Sequence, residues 1–204
     1  MRGMLRRYGI AATILAASAD GAGTAYAHTI QVLGDITLSE TWTADNEYIL
    51  TQPIYVTNGA TLTIEAGTVV RGEPAAGPGT NDPGALIITR GSKIMALGTA
   101  MAPIVFTDLL DDNVRKSSGT FPYDRLENAL SLTGQWGGVI LLGRSYVANN
   151  TLAGPNAARE VQIEGLTAAG GLGFYGNGGN DDDDSGVMRF VSIRARWVSK
   201  SIED

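Results

Sequence analysis

One stretch of the chain nearly repeats itself, and that repeat restricts the fold more than any other feature. Val56-Thr57-Asn58-Gly59-Ala60-Thr61-Leu62-Thr63-Ile64-Glu65-Ala66-Gly67-Thr68 runs alongside Ile88-Thr89-Arg90-Gly91-Ser92-Lys93-Ile94-Met95-Ala96-Leu97-Gly98-Thr99. Gly59 and Gly91 lie 32 positions apart, Gly67 and Gly98 31 apart. Each copy is a short apolar run, a glycine turn and a second run. Such a unit cannot bury its apolar face alone, but stacked units bury one continuous interior. Leu62 and Ile64 are expected inside with Thr61 and Thr63 outside. Ile104 and Phe106 are expected inside with Val105 and Thr107 outside.

Further strand-like runs are Val139 to Leu142, Val161 to Ile163 and Val187 to Ile193. The 27 glycines in 204 residues, about twice the usual share, fall between such runs, where a turning chain needs positive φ. The pattern predicts an all-β, right-handed parallel β-helix, a solenoid with looped-out insertions. A β-sandwich is the rival, because short strands with turn signals fit it too. Glu73 to Pro83 and Leu109 to Gln135 are expected to loop out, and Arg125 to Leu132 has weak helical character.

Residues 1–27 read as a signal peptide. Arg2, Arg6 and Arg7 precede the apolar run Ile10 to Ala17, and Ala25-Tyr26-Ala27 supplies a cleavage site before His28. That run is shorter than the roughly 20 residues of a spanning helix, so no transmembrane segment is expected. Residues 28–204 then form a single domain. The expected location is periplasmic, outer-membrane-associated or extracellular.

Removing three Arg and Asp20 leaves 12 basic and 20 acidic residues, a net charge of −8. That balance repels phosphate backbones, so nucleic acid is an unsuited partner. With no cysteine, disulfides and thiolate metal sites are excluded. The single histidine, His28, leaves a Ser-His-Asp triad without a credible base and a multi-histidine zinc site without ligands.

Gly171-Leu172-Gly173-Phe174-Tyr175-Gly176 has dinucleotide-binding spacing, but Asn177-Gly178-Gly179-Asn180 follows where a helix should start. It reads as a glycine turn. Asp181-Asp182-Asp183-Asp184, with Asn180, offers hard oxygen ligands suited to calcium. An EF-hand is rejected, because its twelfth position is Ser192. A looser calcium site stands against a solvated acidic loop.

If the chain is an enzyme, calcium-assisted polysaccharide lysis would pair that acidic run with Arg189 or Arg194 as base. Glycoside hydrolysis would need a carboxylate pair such as Glu160 and Glu164. Trp42, Trp136 and Tyr175, flanked by glycine or polar residues, are candidates for stacking on sugar rings. Their other reading is as covers of the core edge. The oligomeric state is not legible.

The wording also resembles a group of exported, largely uncharacterised bacterial β-helix proteins. The resemblance rests on Thr41-Trp42-Thr43-Ala44-Asp45-Asn46, Gly59 to Gly72, Pro103-Ile104-Val105-Phe106-Thr107, Gln135-Trp136-Gly137-Gly138 and Ser185-Gly186-Val187-Met188-Arg189-Phe190-Val191-Ser192-Ile193-Arg194. It covers roughly residues 36–194 and implies architecture and export, with no activity to carry over. Members continue beyond this point with a His-Gly-Gly-like turn and more coils, whereas Ala195 to Asp204 departs from them, which implies a truncated C-terminus. The function expected is structural, adhesive or glycan-binding, with polysaccharide or cell-surface components as partners.

Overall fold

The computed structural model describes residues 28–75, 82–109, 111, 136–147, 160–166, 169–177 and 180–194. The expected signal segment, the weakly helical Arg125 to Leu132 and the departing tail lie outside them.

Three parallel sheets form the three faces of a solenoid. Sheet A stacks β1 (His28–Val32), β3 (Asn46–Leu50), β6 (Val69–Gly72), β9 (Ile104–Asp108) and β14 (Val191–Ile193). Sheet B stacks β4 (Pro53–Val56), β7 (Ala85–Ile88) and β10 (Gly138–Leu141), and Ile36 adds a single parallel bridge to Val56. Sheet C stacks β2 (Glu40–Trp42), β5 (Thr61–Ile64), β8 (Lys93–Leu97) and β13 (Gly186–Arg189). The chain visits A, B and C in turn, so each circuit is one coil. All pairings in these sheets are parallel, which sets aside the β-sandwich, a fold of antiparallel sheets.

The interior follows from strand alternation. Leu62 lies against Ile94 and Ile64 against Ala96 on sheet C, while Ile54 lies against Leu86 and Val56 against Ile88 on sheet B. On sheet A the column is Tyr48, Val70 and Phe106. All belong to one buried cluster, and each large side chain contributes roughly 1.5–3 kcal/mol by leaving water. Thr61 and Thr63 face outward as expected. Val105 and Thr107 also lie on the outer side of sheet A, yet both are fully buried.

The repeat has a mixed register. Sheets B and C keep the 32-residue step, with Ile54 opposite Leu86 and Thr61 opposite Lys93. On sheet A, however, Val69 pairs with Val105, 36 residues on. The alignment of Gly67 with Gly98 therefore does not survive. Residues 99–102 add a turn, in which Thr99 and Ala102 exchange backbone hydrogen bonds, and the Cβ direction of Gly67 meets Ala102 instead. An earlier step of 22 residues, Trp42 opposite Ile64, joins the first two coils.

Both expected excursions leave sheet A and return to sheet B, after β6 and after β9. A third, from β10 to β13, carries an antiparallel hairpin of β11 (Glu160–Gln162) and β12 (Phe174–Gly176). The run Val161 to Ile163 is thus part of that hairpin and not of a coil. It docks on the outer side of sheet B, where Ile163, Leu166, Leu172 and Tyr175 pack against a buried patch of Tyr55, Ala85, Ile87 and Leu142. Among the described residues, no helix is long and apolar enough to cross a membrane.

Candidate functional site at the corner of sheets B and C

The turn from sheet B to sheet C repeats in three successive coils. Asn58 and Gly59 turn the second coil with φ of 58° and 72°. One coil on, Gly91 has φ 83°, a left-handed conformation that only glycine adopts without penalty. In the next coil the register that sets Leu141 beside Ile88 brings Arg144 over Gly91. The Arg144 guanidinium fills the space a Cβ at Gly91 would need, 2.5 Å from its Nη2, so glycine here serves both the turn and the close approach.

Five remote segments converge at this corner. Arg144 Nη2 donates to the Arg90 carbonyl at 3.4 Å. Arg90 Nη1 donates to Glu160 Oε2 at 2.8 Å and to the Gly176 carbonyl at 3.2 Å. Asn177 Nδ2 reaches the same Glu160 oxygen at 3.2 Å. The Arg144 backbone N–H donates to Asp183 Oδ2 at 2.7 Å, and the Gly176 N–H donates to the Gly143 carbonyl at 2.7 Å. Beyond these, Lys93 Nζ donates to Asp184 Oδ2 at 2.6 Å.

The electrostatics follow from these contacts. The Lys93 ammonium, with help from the Gly186 N–H, holds the Asp184 carboxyl below its ordinary range. Arg144 forms no ion pair with a carboxylate among the described residues, and its side chain is exposed. Two residues on, Tyr146 is 70% exposed. A free guanidinium beside an open aromatic ring suits a ligand rich in hydroxyl or carboxylate oxygens that also has apolar ring faces. Sequence reasoning missed Arg90, Arg144 and Tyr146. The available signal was position: Arg90 adjoins the repeat glycine Gly91, and Arg144 follows the apolar run Val139 to Leu142 at the same corner.

The expected site residues are only partly gathered here. Glu160 and Asp181 to Asp184 belong to this side of the molecule, and Glu164 is exposed in the turn after β11. Glu160, however, is taken up by Arg90. Arg194 lies across the solenoid, where Nη1 reaches Asp111 Oδ2 at 3.4 Å. Arg189 ends β13, with its guanidinium 5.7 Å from the ring centroid of Phe190. The base-plus-acidic-run arrangement of a lyase is therefore not assembled.

The acidic run does not converge into a calcium cage either. Asp183 accepts from the Arg144 backbone, Asp184 from Lys93 and the Gly186 N–H, and Asn180 Oδ1 from the Asp182 N–H. Among the described residues, no group of three or more His, Cys, Asp or Glu side chains is placed to hold a metal.

The tryptophans are core residues and not open stacking surfaces. Trp42, 2% exposed, stacks on Tyr48 at 4.5 Å between centroids and donates from Nε1 to Glu40 Oε1 at 2.8 Å. Trp136 is buried and donates to the Arg194 carbonyl at 2.9 Å. Tyr175 is half-buried under the hairpin.

A second polar cluster lies outside sheet A. Arg71 is paired with Glu47 and donates from Nη1 to the carbonyls of Asp108 and Asp111 at 3.2 and 2.8 Å. Asp111 Oδ2 in turn accepts from Thr107 Oγ1 at 2.7 Å. The guanidinium is buried and fully engaged, so this cluster ties the departing chain to the sheet.

A family model described as a pectate-lyase like beta helix domain matches residues 34–121. No curated protein and no solved structure matches the chain. The matched segment covers the coils that carry the repeat, and with the stacked parallel sheets it makes this chain a β-helix protein.

Proposed function

We propose that this is an exported β-helix protein that holds a glycan at the corner of sheets B and C, in a structural or adhesive role at the cell surface. The observation that carries this reading is the exposed pair of Arg144 and Tyr146, set on a rigid corner. Arg144 has no carboxylate partner among the described residues, and Tyr146 stands in solvent. A sugar ring offers an apolar face for the phenol and hydroxyl or carboxylate oxygens for the guanidinium. The surrounding hydrogen bonds hold Arg90, Glu160 and Asn177 in place, so little ordering entropy is lost on binding.

The similarity to pectate-lyase-like β-helices fits a carbohydrate-related or surface role. Fold alone carries no activity, and the dispersal of Arg189, Arg194 and the acidic run favours binding over cleavage. Probing the mature protein against immobilised acidic and neutral polysaccharides tests the proposal. Retention on a polysaccharide without release of ultraviolet-absorbing product supports it. Unsaturated product from a uronate polymer would replace it with the lyase, and no retention on any polymer would remove it.

A further inference from the structure

We propose that the two ends of the solenoid form a matched interface on which a second copy of this chain stacks head to tail. In the first coil, β1 bonds only to β3 and β2 only to β5 among the described residues. In the last, β10, β13 and β14 bond only to β7, β8 and β9. Both ends therefore offer unpaired strand edges, the usual template for adding strands from another chain.

The ends differ in charge. Residues 28–45 contain Asp35, Glu40 and Asp45 and no Lys or Arg, whereas residues 186–194 contain Arg189 and Arg194 and no acid. Both also expose large apolar side chains. Leu33 and Leu38 are exposed on the first coil, Leu38 at 79%, and Leu141, Val187, Phe190 and Ile193 are exposed on the last. Joining like ends would set acid against acid or Arg against Arg, while joining unlike ends satisfies both.

Strand direction agrees with this arrangement. The last strand, β14, lies on sheet A, and the next position along the helical path is the edge of β10. A following copy turned by a third of a revolution would lay its β1 on that edge and continue the parallel path. Such a contact is heterologous and does not close on itself, so it builds dimers first and longer stacks at higher concentration.

Sedimentation velocity of the mature chain across a concentration series, at low and high salt, reads this directly. The expected result is concentration-dependent self-association, about tenfold weaker at high salt because the pairing charges are screened. Arg189→Glu or Glu40→Lys alone should give monomers, and mixing the two variants should restore a heterodimer. Phe190→Gly removes an exposed ring at a position whose φ is already positive at 48°, so it should weaken association without unfolding, as circular dichroism would verify. A wild-type chain that stays monomeric at every concentration overturns the proposal. So does association that ignores both salt and charge reversal.

Discussion

Lys93 and Asp184, separated by 91 positions in the chain, meet at 2.6 Å on the outside of sheet C. The contact arises because β13 stacks directly on β8, and it accounts for one arm of the acidic run. The hydrogen bond from Lys93 is the main cause that depresses the Asp184 carboxyl. A carboxyl depressed in the folded state adds stability above its unfolded value and loses that stability as pH falls through its folded value. Lys93→Met is therefore expected to move the Asp184 titration upward, toward an ordinary aspartate. A carboxyl-carbon NMR titration of both proteins checks this, and an unchanged midpoint would contradict the contact.

Ile94 is fully buried between Leu62 and the last coil. Truncating it removes interior methyl groups from a stack with no slack, and Ile94→Ala should cost about 2–5 kcal/mol. Met95, its neighbour on the outer side, is partly exposed, so Met95→Ala should cost much less. Urea melts of the two variants measure the difference.

Gly186 begins β13 with φ 111°, and a Cβ there would stand 1.9 Å from the Ile94 carbonyl oxygen. Gly186→Ala combines that clash with a backbone conformation that alone costs about 1–3 kcal/mol in a residue with a side chain. The expected outcome is a lower denaturation midpoint and loss of hydrogen-exchange protection in β13. Protection unchanged from wild type would refute the stacking of β13 on β8.

The buried pair of Arg71 and Glu47 gives an asymmetric prediction. Arg71→Ala leaves Glu47 and two carbonyls without their donor, at a cost of about 3 kcal/mol. Replacing both residues with apolar ones of similar volume, Arg71→Met with Glu47→Leu, should recover much of that loss. A double-mutant cycle by thermal unfolding reads the coupling.

Parts of this architecture were legible because they are local. The alternation of Thr61, Leu62, Thr63 and Ile64 and the glycines at 59 and 91 mark strands and one corner directly. The 36-residue register of sheet A was not legible, because residues 99–102 add a turn whose length no periodicity shows. Trp42 and Trp136 misled because polar neighbours in sequence say nothing of which side of a strand faces inward. Glu40 and Trp42, on one three-residue strand, share a side, yet the indole is buried and the carboxylate exposed. The acidic run was visible, but its partners were not, since parallel stacking pairs residues that many positions separate. Arg144 was hidden for the same reason, as only the third coil places it over Gly91.

The most direct test of the glycan-binding corner is calorimetric titration of the mature protein and its Arg144→Ala/Tyr146→Ala variant with the retained polysaccharide or its oligomers. Neither side chain is buried, so the variant should melt with the wild type and lose at least about tenfold in affinity, roughly 1.4 kcal/mol. Equal affinity in a variant of equal stability would show that the glycan sits elsewhere and would contradict the assignment of this corner.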